Sequence, residues 1–393
     1  MVDTRTHVVV LGGGYAGTVA ANRLQAAANC DVTLVNPRPQ FVERIRLHQL
    51  VAGRDDAVLD YTEVLAEAVR LVTDRATRID AAARTVALAS GDTLDYDYLI
   101  YAVGSGVAAP TVAGAAEFCY PMAEFEHATR LRAALDDAGP AVALTVVGAG
   151  STGIETAAEL AEQGHPVTLV CGGELGPYLS APGRRSVARR LAKLGVTVLD
   201  GPGTTVTAVT QNAVTLADGR HVPSPVTVWT AGFGVPDLAA ASGLSTDALG
   251  RLITDETLTS IDDARIVAAG DAAAPSNQPL RMCCASAAPL GAQAADTVLA
   301  RLAGTAAPPL NVALAGQCIS VGSKAGVFQL SHTDDTATPL YIGGRAGAVL
   351  KKAALNASVK LLAREARKPG SLIWLKSDKR AQRLADTEKV TAS

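Results

Sequence analysis

The stretch HVVVLGGGYAG, residues 7–17, decides the fold of this chain. It joins a short apolar run, typical of a buried strand, to a glycine turn, and a helical pattern follows over Thr18–Ala28. A second apolar run, Asp31–Val35, completes a strand–turn–helix–strand unit. In such a unit the first glycine permits a tight turn, the second lets a phosphate approach the backbone, and the third lets the helix pack on the strand. The unit therefore predicts a site for a pyrophosphate at the positive end of the helix.

The same arrangement occurs a second time, much later in the chain. The apolar run Leu144–Val147 ends in GAGSTG, residues 148–153, and a helix over Ile154–Glu162 and a strand over Pro166–Val170 follow. One glycine pattern of this kind is weak evidence, but two copies in the same context predict two dinucleotide-binding domains.

Each unit is followed by a turn-separated pair of short strands and then by a buried strand that ends in glycine. These buried strands are Tyr98–Val103 and Val226–Ala231, and a further apolar run, Ala264–Asp271, ends in an acid. A helix is expected over Pro289–Ala303, with a linker at 305–309. We predict an α/β protein with two Rossmann-like domains and a smaller α+β C-terminal domain. The predicted limits are 1–113 with 247–304 for the first domain, 114–246 for the second, and 305–393 for the third.

The composition narrows the class of protein. Of the 393 residues, 48% are hydrophobic and 19% are charged, which excludes general disorder. A net charge of −3, with 5 Phe, 8 Tyr and 2 Trp, gives no field or stacking platform for nucleic acid. The six cysteines form neither a disulfide framework nor a CxxC pair, and no metal site is expected. Without a signal-peptide pattern or a long apolar run, a cytoplasmic protein is expected.

Five motifs in order carry a resemblance to a known family. They are the two glycine turns, the turns Ala102–Gly104 and Thr230–Gly232, and Gly270-Asp271. Over residues 5–330 the chain resembles the pyridine nucleotide-disulfide oxidoreductases, and most closely their type II NADH:quinone oxidoreductase and apoptosis-inducing-factor-like branch. The resemblance implies FAD on the first unit and NADH or NADPH on the second.

The implied reaction passes hydride from NAD(P)H to FAD and then electrons to a small acceptor, with a quinone favoured. Two alternatives remain open at this stage. One is a reductase of a ferredoxin or rubredoxin, and the other is a non-catalytic flavoprotein that responds to NAD(P)H.

The resemblance assigns a set of residues to the FAD site. Asn36 stands where the family usually has an acid for the adenosine ribose, and its amide can still take a ribose hydroxyl. A helix opening at Pro289-Leu290-Gly291 would point its N-terminus at the flavin pyrimidine and stabilise the reduced anion. The positions that match are Gly12, Gly14, Ala16, Gly17, Asn36, Arg44, Ala76, Ala102, Gly104, Asp271 and Leu290.

For the nicotinamide nucleotide, the matching positions are Gly148, Gly150, Thr152, Gly153 and Gly232. Glu155 matches an acid that holds the nicotinamide carboxamide, although a first-turn acid could simply complement the helix dipole. An NAD-specific site usually has an acid at the position of Cys171. Its absence, with Arg184-Arg185 following, allows NADPH, unless these arginines are ordinary surface charges.

The acceptor side is expected to be formed by residues 44–49, residues 283–290 and the start of the C-terminal domain. The helix expected over 41–50 lacks the redox cysteines of the disulfide reductases, which makes a disulfide substrate unlikely. By the resemblance, His48 lies near the isoalloxazine. The alternative is that Glu43 and Arg46 form a solvated pair and His48 fills space.

His48 and Glu155 are thus the two candidate catalytic residues. The cavity is expected to be mostly small and apolar, suited to a flat acceptor. Cys283 and Cys284 could form a strained disulfide, but packing as small apolar residues is favoured. Ala285–Gly291 lacks the glutamines of the quinone-reducing relatives, which argues against a long-chain respiratory quinone.

The last segment is basic. Residues 351–393 carry 11 Lys and Arg against 4 Asp and Glu. At helical spacing one face is apolar and the other basic, which would suit weak peripheral contact with an anionic membrane. The favoured alternative is a helix docked on its own domain or on a second subunit of a homodimer. The apolar face is Ala348, Leu355, Val359, Leu362 and Ala366, and the basic face is Lys360, Arg364, Arg367 and Lys368.

Overall fold

The computed structural model describes residues 5–108 and 111–391. Residues 1–4, 109–110 and 392–393 lie outside this part. The first residues of the predicted first domain and the last two residues of the basic segment are therefore outside the described structure.

The helices and strands follow one another along the chain in three groups. The first group is β1 (Thr6–Leu11), α1 (Tyr15–Leu24), β2 (Cys30–Asn36), β3 (Gln40–Val42), α2 (Leu47–Val51), β4 (Val58–Asp60), α3 (Tyr61–Val64), β5 (Arg70–Thr73), β6 (Ala76–Asp80), β7 (Thr85–Leu88), β8 (Thr93–Asp95), β9 (Tyr98–Tyr101) and β10 (Gly106–Val107). The second is α4 (Ala115–Phe118), β11 (Cys119–Pro121), α5 (Phe125–Ala138), β12 (Leu144–Val147), α6 (Ser151–Glu162), β13 (Val167–Val170), α7 (Ala181–Lys193), β14 (Thr197–Leu199), β15 (Val206–Thr210), β16 (Ala213–Leu216), β17 (His221–Pro223), β18 (Val226–Trp229) and β19 (Phe233–Gly234). The third is α8 (Leu238–Ala241), β20 (Leu252–Thr254), β21 (Ile266–Ala268), β22 (Ala273–Pro275), α9 (Cys284–Leu302), β23 (Gly316–Ser320), β24 (Gly326–Ser331), β25 (Ala337–Gly343), α10 (Gly344–Arg367) and α11 (Lys379–Thr391).

Two five-stranded parallel sheets organise the molecule. The first has the order β21-β9-β1-β2-β5, and the second has the order β11-β18-β12-β13-β14. In both, the strand before the glycine turn pairs with the strand after the helix, with Leu11 opposite Val35 and Val147 opposite Val170. Strand β21 joins the first sheet although the whole second sheet intervenes in the sequence. The predicted α/β class with two Rossmann-like cores is confirmed.

Four helix boundaries differ from the sequence prediction. The helix expected over 41–50 begins only at Leu47, as α2, after strand β3 and a short 3-10 turn at Arg44–Arg46. Helix α1 covers Tyr15–Leu24 rather than Thr18–Ala28, and α6 begins at Ser151. In both cases the middle glycine of the turn is the N-cap, so the third glycine lies inside the helix. Helix α9 begins at Cys284, five residues before the predicted start, with Pro289 inside it. The missing N–H of Pro289 removes one backbone hydrogen bond without ending the helix.

The part of the chain after β22 packs against both sheets. Strands β23–β25 form an antiparallel sheet, and α10 lies across β24, α1 and α3. Leu355 and Leu362 of α10 are buried, and Leu362 belongs to the same core cluster as α1 and α9. Helix α10 is therefore docked on its own chain, as the favoured alternative predicts. Among residues 5–108 and 111–391, no helix has both the length and the apolar composition that a membrane span needs.

Candidate active site

The first glycine turn leaves an open space at its second glycine. Gly12 has φ +100°, and a Cβ there would lie 2.3 Å from the Ala102 carbonyl oxygen. A Cβ on Gly17 would lie 1.8 Å from the Gly12 carbonyl oxygen, so this position also requires glycine. No described atom lies within 4 Å of a Cβ built on Gly14. The turn is therefore closed by packing on two sides and open on the third, which fits the approach of a phosphate.

Two side chains hold this turn in place. The Asn36 Oδ1 accepts a hydrogen bond of 3.0 Å from the Gly13 amide, and the Tyr61 hydroxyl donates one of 2.7 Å to the Gly13 carbonyl. Asn36 also donates from Nδ2 to the Arg38 carbonyl at 2.8 Å. The described contacts of Asn36 thus position the turn, and its contact with a ribose stays a prediction.

The second glycine turn has the same geometry. Gly148 has φ +108°, with Thr230 Oγ1 2.7 Å from a Cβ built there, and a Cβ on Gly153 would lie 1.8 Å from the Gly148 carbonyl oxygen. Gly150 again faces open space within the described chain. Helices α1 and α6 begin at Gly14 and Gly150, and no described side chain caps either N-terminus. Their free amide groups are available to an anionic ligand.

Asp271 is the centre of a polar group beside the first turn. Its Oδ2 accepts a hydrogen bond of 2.6 Å from Ser105 Oγ, which in turn accepts one of 3.2 Å from Arg44 Nη1. The Arg44 Nη1 and Asp271 Oδ2 atoms are 4.0 Å apart. The other carboxylate oxygen, Oδ1, is buried and has no hydrogen-bond partner among the described residues. A buried, unpaired acceptor is costly, so this oxygen fits a hydroxyl donor from a bound ligand such as the ribityl chain of FAD.

The other predicted site positions occupy three kinds of place. Leu290 is 2% exposed and lies in the core cluster, one turn and a half inside α9. Its placement at the helix opening is corrected, because the amides at the start of α9 are those of Cys284 and Ala285. Ala16 and Ala102 are buried under the first turn. Gly104 and Gly232 follow β9 and β18, and both have a positive φ. Ala76 is the first residue of β6, and Thr152 is the half-buried second residue of α6.

Four residues from different parts of the chain form a buried charged cluster. The Glu155 Oε1 lies 2.7 Å from Lys351 Nζ and accepts hydrogen bonds from the Ser320 amide at 2.9 Å and the Ser320 hydroxyl at 3.2 Å. His48 Nδ1 is 3.7 Å from Glu155 Oε2, and His48 Nε2 is 3.5 Å from Ser320 Oγ. Glu155 is 6% exposed and His48 is 3% exposed. We call these residues the Glu155 cluster.

The environment fixes the charge of each member at neutral pH. Burial lowers the pKa of His48 to about 4, despite the opposing effect of Glu155, and Lys351 lowers it further. Burial acts to raise the pKa of Glu155, but Lys351, His48 and the Ser320 amide outweigh it and lower the pKa. For Lys351, Glu155 outweighs burial and raises the pKa. The cluster therefore holds a carboxylate, an ammonium group and a neutral imidazole.

The structure bears on two alternatives that the sequence leaves open. Glu155 lies beyond the first turn of α6 and is bound to Lys351, so it is not merely a complement to the helix dipole. Glu43 and Arg46 do form an ion pair, at 2.9 Å, but both side chains are largely buried rather than solvated. The sequence prediction missed Lys351 and Ser320, because neither belongs to a local motif. Lys351 was counted only as the first charge of the basic segment.

A cavity of about 270 Å³ opens beside the cluster. Ser320 and Lys351 belong both to its lining and to the cluster, and Arg46, Arg54, Asp55 and Lys352 also line it. None of residues 283–290 lines this cavity. This cavity is lined largely by charged and polar side chains, and the mostly apolar cavity expected from the three acceptor-side segments stays a prediction.

The end of β13 carries the position that would read the 2′ group of a nicotinamide nucleotide. Burial raises the pKa of the Cys171 thiol to about 12, and Asp200 adds to this, so the thiol is neutral. Glu174, three residues later, forms an ion pair with Arg184, which also donates to the Leu179 carbonyl at 3.2 Å. Arg185 is exposed. Arg184 is therefore part of a local structure rather than a free surface charge, and Glu174 is an acid that the sequence prediction missed.

The six cysteines are free thiols in this structure. Cys284 packs against the core cluster of α1 and α9, and burial raises its pKa to about 11. A neutral, packed thiol is a poor nucleophile. The structure thus agrees with the favoured packing interpretation for Cys284, whereas the described side-chain contact of Cys283 is with the Ser286 hydroxyl at 3.5 Å.

A family model, curated relatives and solved structures resemble this chain in sequence or in fold. The family model described as pyridine nucleotide-disulphide oxidoreductase matches residues 6–295. An NADH dehydrogenase-like protein of Mycobacterium tuberculosis is 33% identical over 296 residues, which cover 68% of this chain and 73% of that protein. A demethylphylloquinone reductase of Synechocystis is 28% identical over 297 residues, covering 70% and 73%. The solved sulfide:quinone oxidoreductase of Aquifex aeolicus shares the fold, with a TM-score of 0.74 over 92% of both chains at 20% identity.

Proposed function

The chain belongs to the pyridine nucleotide-disulphide oxidoreductase family, and from this premise we propose that it is an FAD-dependent oxidoreductase that oxidises NADH or NADPH and reduces a small quinone. The single observation that carries the proposal is the pair of glycine turns, each open at its second glycine and each followed by an uncapped helix N-terminus. Two such turns in one chain support two nucleotide cofactors at once.

Residues of the first unit would hold FAD. The amides at the start of α1 would bind the pyrophosphate, Asp271 Oδ1 would accept a hydrogen bond from the ribityl chain, and Arg44 would supply a cation. The uncapped start of α9, at Cys284, lies beside the Asp271 segment, since the Cβ of Ala287 is 3.9 Å from one built on Gly270. Bound FAD supplies the two-electron chemistry, while the protein orients it and tunes its charge.

Residues of the second unit would hold the nicotinamide nucleotide. The phosphates would bind at the open side of Gly150 and the start of α6, and Gly232 and Thr152 would lie beside them. Glu155 follows two residues after Gly153 on the same helix, so it points from the nucleotide turn toward the interior. This placement supports a role for Glu155 in orienting the nicotinamide.

The Glu155 cluster would hold the proton for the acceptor half-reaction. A quinone needs protons as well as electrons to become a hydroquinone. Lys351 is protonated and donates a hydrogen bond from Nζ to Glu155 Oε1. The neutral His48 has one ring nitrogen that can accept a hydrogen bond and one that can donate. His48 and Glu155 are thus proposed as catalytic residues, with Lys351 as the proton-bearing group.

The name of one relative, the neutral thiol of Cys284 and the charged cavity support a quinone acceptor. The named Synechocystis relative is a demethylphylloquinone reductase. In this chain burial raises the pKa of the Cys284 thiol, so the thiol is neutral, which disfavours a disulfide acceptor. The charged cavity beside the cluster suits a small, water-soluble quinone better than a long-chain one.

We propose three domains for this reaction. Residues 1–113 and 247–304 form the FAD domain, 114–246 form the NAD(P) domain, and 305–393 form the C-terminal domain. The position of β21 in the first sheet supports the assignment of 247–304 to the FAD domain.

Val349 and Leu350 are exposed on α10 near Lys352, which supports weak peripheral contact with an anionic membrane. A homodimer through the same face is the competing proposal.

Rapid mixing tests the function directly. The purified protein should be yellow, and NADH or NADPH should bleach the flavin absorbance without oxygen. Reoxidation is then followed with menadione, ferricyanide, a ferredoxin and oxygen. Fast reoxidation by menadione supports the proposal. Protein that folds but cannot be loaded with FAD contradicts the cofactor, and reoxidation by ferredoxin alone contradicts the quinone.

His48→Gln separates the two half-reactions. If His48 serves the acceptor, the variant should reoxidise at least about tenfold more slowly with menadione, which is about 1.4 kcal/mol of barrier. Reduction by the nicotinamide nucleotide should change less than about twofold. Equal slowing of both steps means that His48 only positions the flavin.

A further inference from the structure

The segment that leads into α9, residues 276–283, has an unusual backbone. Ser276 and Asn277 are consecutive non-glycine residues with φ of +49° and +52°. L-residues other than glycine rarely adopt this left-handed region, so surrounding contacts must hold it. We call residues 276–283 the α9 lead-in.

One buried arginine from the end of the chain holds the start of the lead-in. Arg380, in α11, donates from Nη2 to the Pro275 carbonyl and from Nη1 to the Gln278 carbonyl, each at 2.9 Å. It also binds both carboxylate oxygens of Glu256 at 2.7 Å. Glu256 Oε1 in turn accepts a hydrogen bond of 2.6 Å from Ser276 Oγ. The guanidinium thus spans the turn from residue 275 to residue 278 and is 5% exposed.

A second arginine holds the other end of the lead-in. Arg281 forms two hydrogen bonds to Asp335, at 2.6 and 2.9 Å, and one of 3.1 Å to the side chain of Gln317. The Arg281 carbonyl accepts a hydrogen bond of 2.6 Å from Ser286 Oγ in the first turn of α9. Both ends of the lead-in are therefore bound to residues after 310.

The lead-in connects directly to the first turn of α9, which lies beside Asp271 in the candidate active site. Cys284 is the first residue of α9, and the charges of Lys351, Glu155 and Asp271 all act on the pKa of its thiol. Ala287, in the same first turn, has its Cβ 3.9 Å from a Cβ built on Gly270, the residue before Asp271. A shift of the lead-in would move this turn and the free amides that it carries.

We propose that Arg380 is a positioning residue, which sets the course of the α9 lead-in and through it the placement of the first turn of α9 in the active site. The inference rests on the proposed function for its kinetic consequence. The C-terminal segment that carries Arg380 thereby controls the acceptor half-reaction from a distance. A planar guanidinium is suited to the task because it can bind two carbonyls and a carboxylate at once.

The test compares Arg380→Gln and Arg380→Lys with Lys379→Gln as the matched control. Lys379 is the preceding residue, half exposed, with a 3.9 Å contact to Asp334. Lysine keeps the charge opposite Glu256 but cannot reach all four acceptors, so its effect should lie between those of wild type and Arg380→Gln.

The first measurement needs neither cofactor nor turnover. Alkylation of Cys283 and Cys284 is followed by mass spectrometry in the folded protein below its melting temperature. Arg380→Gln should raise the rate by about tenfold or more, because the half-buried lead-in opens more often. Lys379→Gln should leave the rate within about twofold of wild type.

The second measurement is the split between the half-reactions. In Arg380→Gln, reoxidation by menadione should slow by about tenfold or the KM for menadione should rise by as much, while reduction by NADH changes less than about twofold. A lowered melting temperature with unchanged alkylation and reoxidation means that Arg380 is only an anchor, and the proposal is wrong. If wild type shows no menadione turnover, the proposed function fails, and the alkylation rates still decide the role of Arg380.

Discussion

The two glycine turns of this molecule are nearly identical in shape and different in what surrounds them. In each, the first glycine has a φ near +100°, and a Cβ built on the third would lie only 1.8 Å from the carbonyl oxygen of the first. In each, the turn amide bonds to the end of the neighbouring strand at 2.8 Å, from Gly12 to Val35 and from Gly148 to Val170. The backbone therefore makes the same phosphate cradle twice.

The differences begin two residues beyond the third glycine. In α1 this position is Val19, which is fully buried in the core, and in α6 it is Glu155, which binds Lys351. At the end of the second strand, Asn36 binds the first turn, whereas the matching Cys171 is a neutral thiol. The repeated backbone thus gives two turns of the same shape, and we propose that the side chains around each turn decide which cofactor binds there.

The largest test of this comparison is a valine at each open glycine. Gly14→Val should weaken FAD binding by roughly 100-fold or more, about 2.8 kcal/mol, because the side chain fills the space for the pyrophosphate. Gly150→Val should keep the flavin but lose reduction by NADH. Flavin content and stopped-flow reduction measure the two outcomes.

Gly17→Ala is the control for these valines. Its Cβ would meet the Gly12 carbonyl oxygen, so it should lower the melting temperature of the protein, whereas Gly14→Val should not. If either valine variant behaves like wild type in binding and reduction, the open glycines are not the phosphate sites.

The next test removes the charged pair that distinguishes α6 from α1. Glu155→Gln or Lys351→Met alone should destabilise the fold by about 3–5 kcal/mol, because each leaves a buried charge without its partner. The double variant should recover much of this loss. Urea denaturation of all three variants checks the expectation, and additive losses in the double variant would contradict a coupled pair.

A third test uses pH and the buried histidine. Because the pKa of His48 is lowered to about 4 in the folded protein, the unfolded chain binds the extra proton first. Stability should therefore be unaffected by His48 above pH 6.5 and should fall as the pH drops from 6.5 toward 4, by up to about 1.4 kcal/mol per pH unit. His48→Gln should remove this contribution. Parallel pH profiles for variant and wild type would show that His48 is not held neutral.

The smallest expected effect concerns the ends of the second strands. With a neutral thiol at Cys171, NADPH should reduce the flavin at least as well as NADH. Cys171→Glu should shift the preference toward NADH by about tenfold, roughly 1.4 kcal/mol, because a carboxylate repels the 2′-phosphate and accepts from the 2′-hydroxyl.

Arg184→Gln and Arg185→Gln form a matched pair for this position. Arg184→Gln, which removes the arginine bound to Glu174, should lower the rate with NADPH relative to NADH. Arg185→Gln should leave this ratio unchanged. A wild-type preference for NADH above about tenfold would contradict this interpretation of the pocket.

What the sequence predicts well in this chain is local. The turns, the strands around them, the α/β class and the family resemblance follow from glycine spacing and short apolar runs, and all are confirmed. Helix starts were less accurate, because the turn glycines act as N-caps and because Pro289 does not interrupt α9.

The missed part of the site is non-local. Ser320 binds Glu155 across 165 residues of sequence, and Lys351 comes from a helix whose pattern indicates only an amphipathic surface. No spacing rule brings such residues together, since their meeting depends on how β23 and α10 pack on α6. Glu174 is a local case: it lies three residues after Cys171, the position the pattern singles out, and its described partner is Arg184.

The Glu155 cluster joins residues from two regions of the chain. Both glycine turns lie within residues 6–295, which the family shares, whereas Ser320 and Lys351 lie after that stretch. Exchange of the segment after residue 304 would therefore alter the charge and shape of the proposed acceptor site, while the glycine turns kept their geometry. If the cluster serves the acceptor as proposed, such an exchange would change the acceptor preference and leave both cofactors bound.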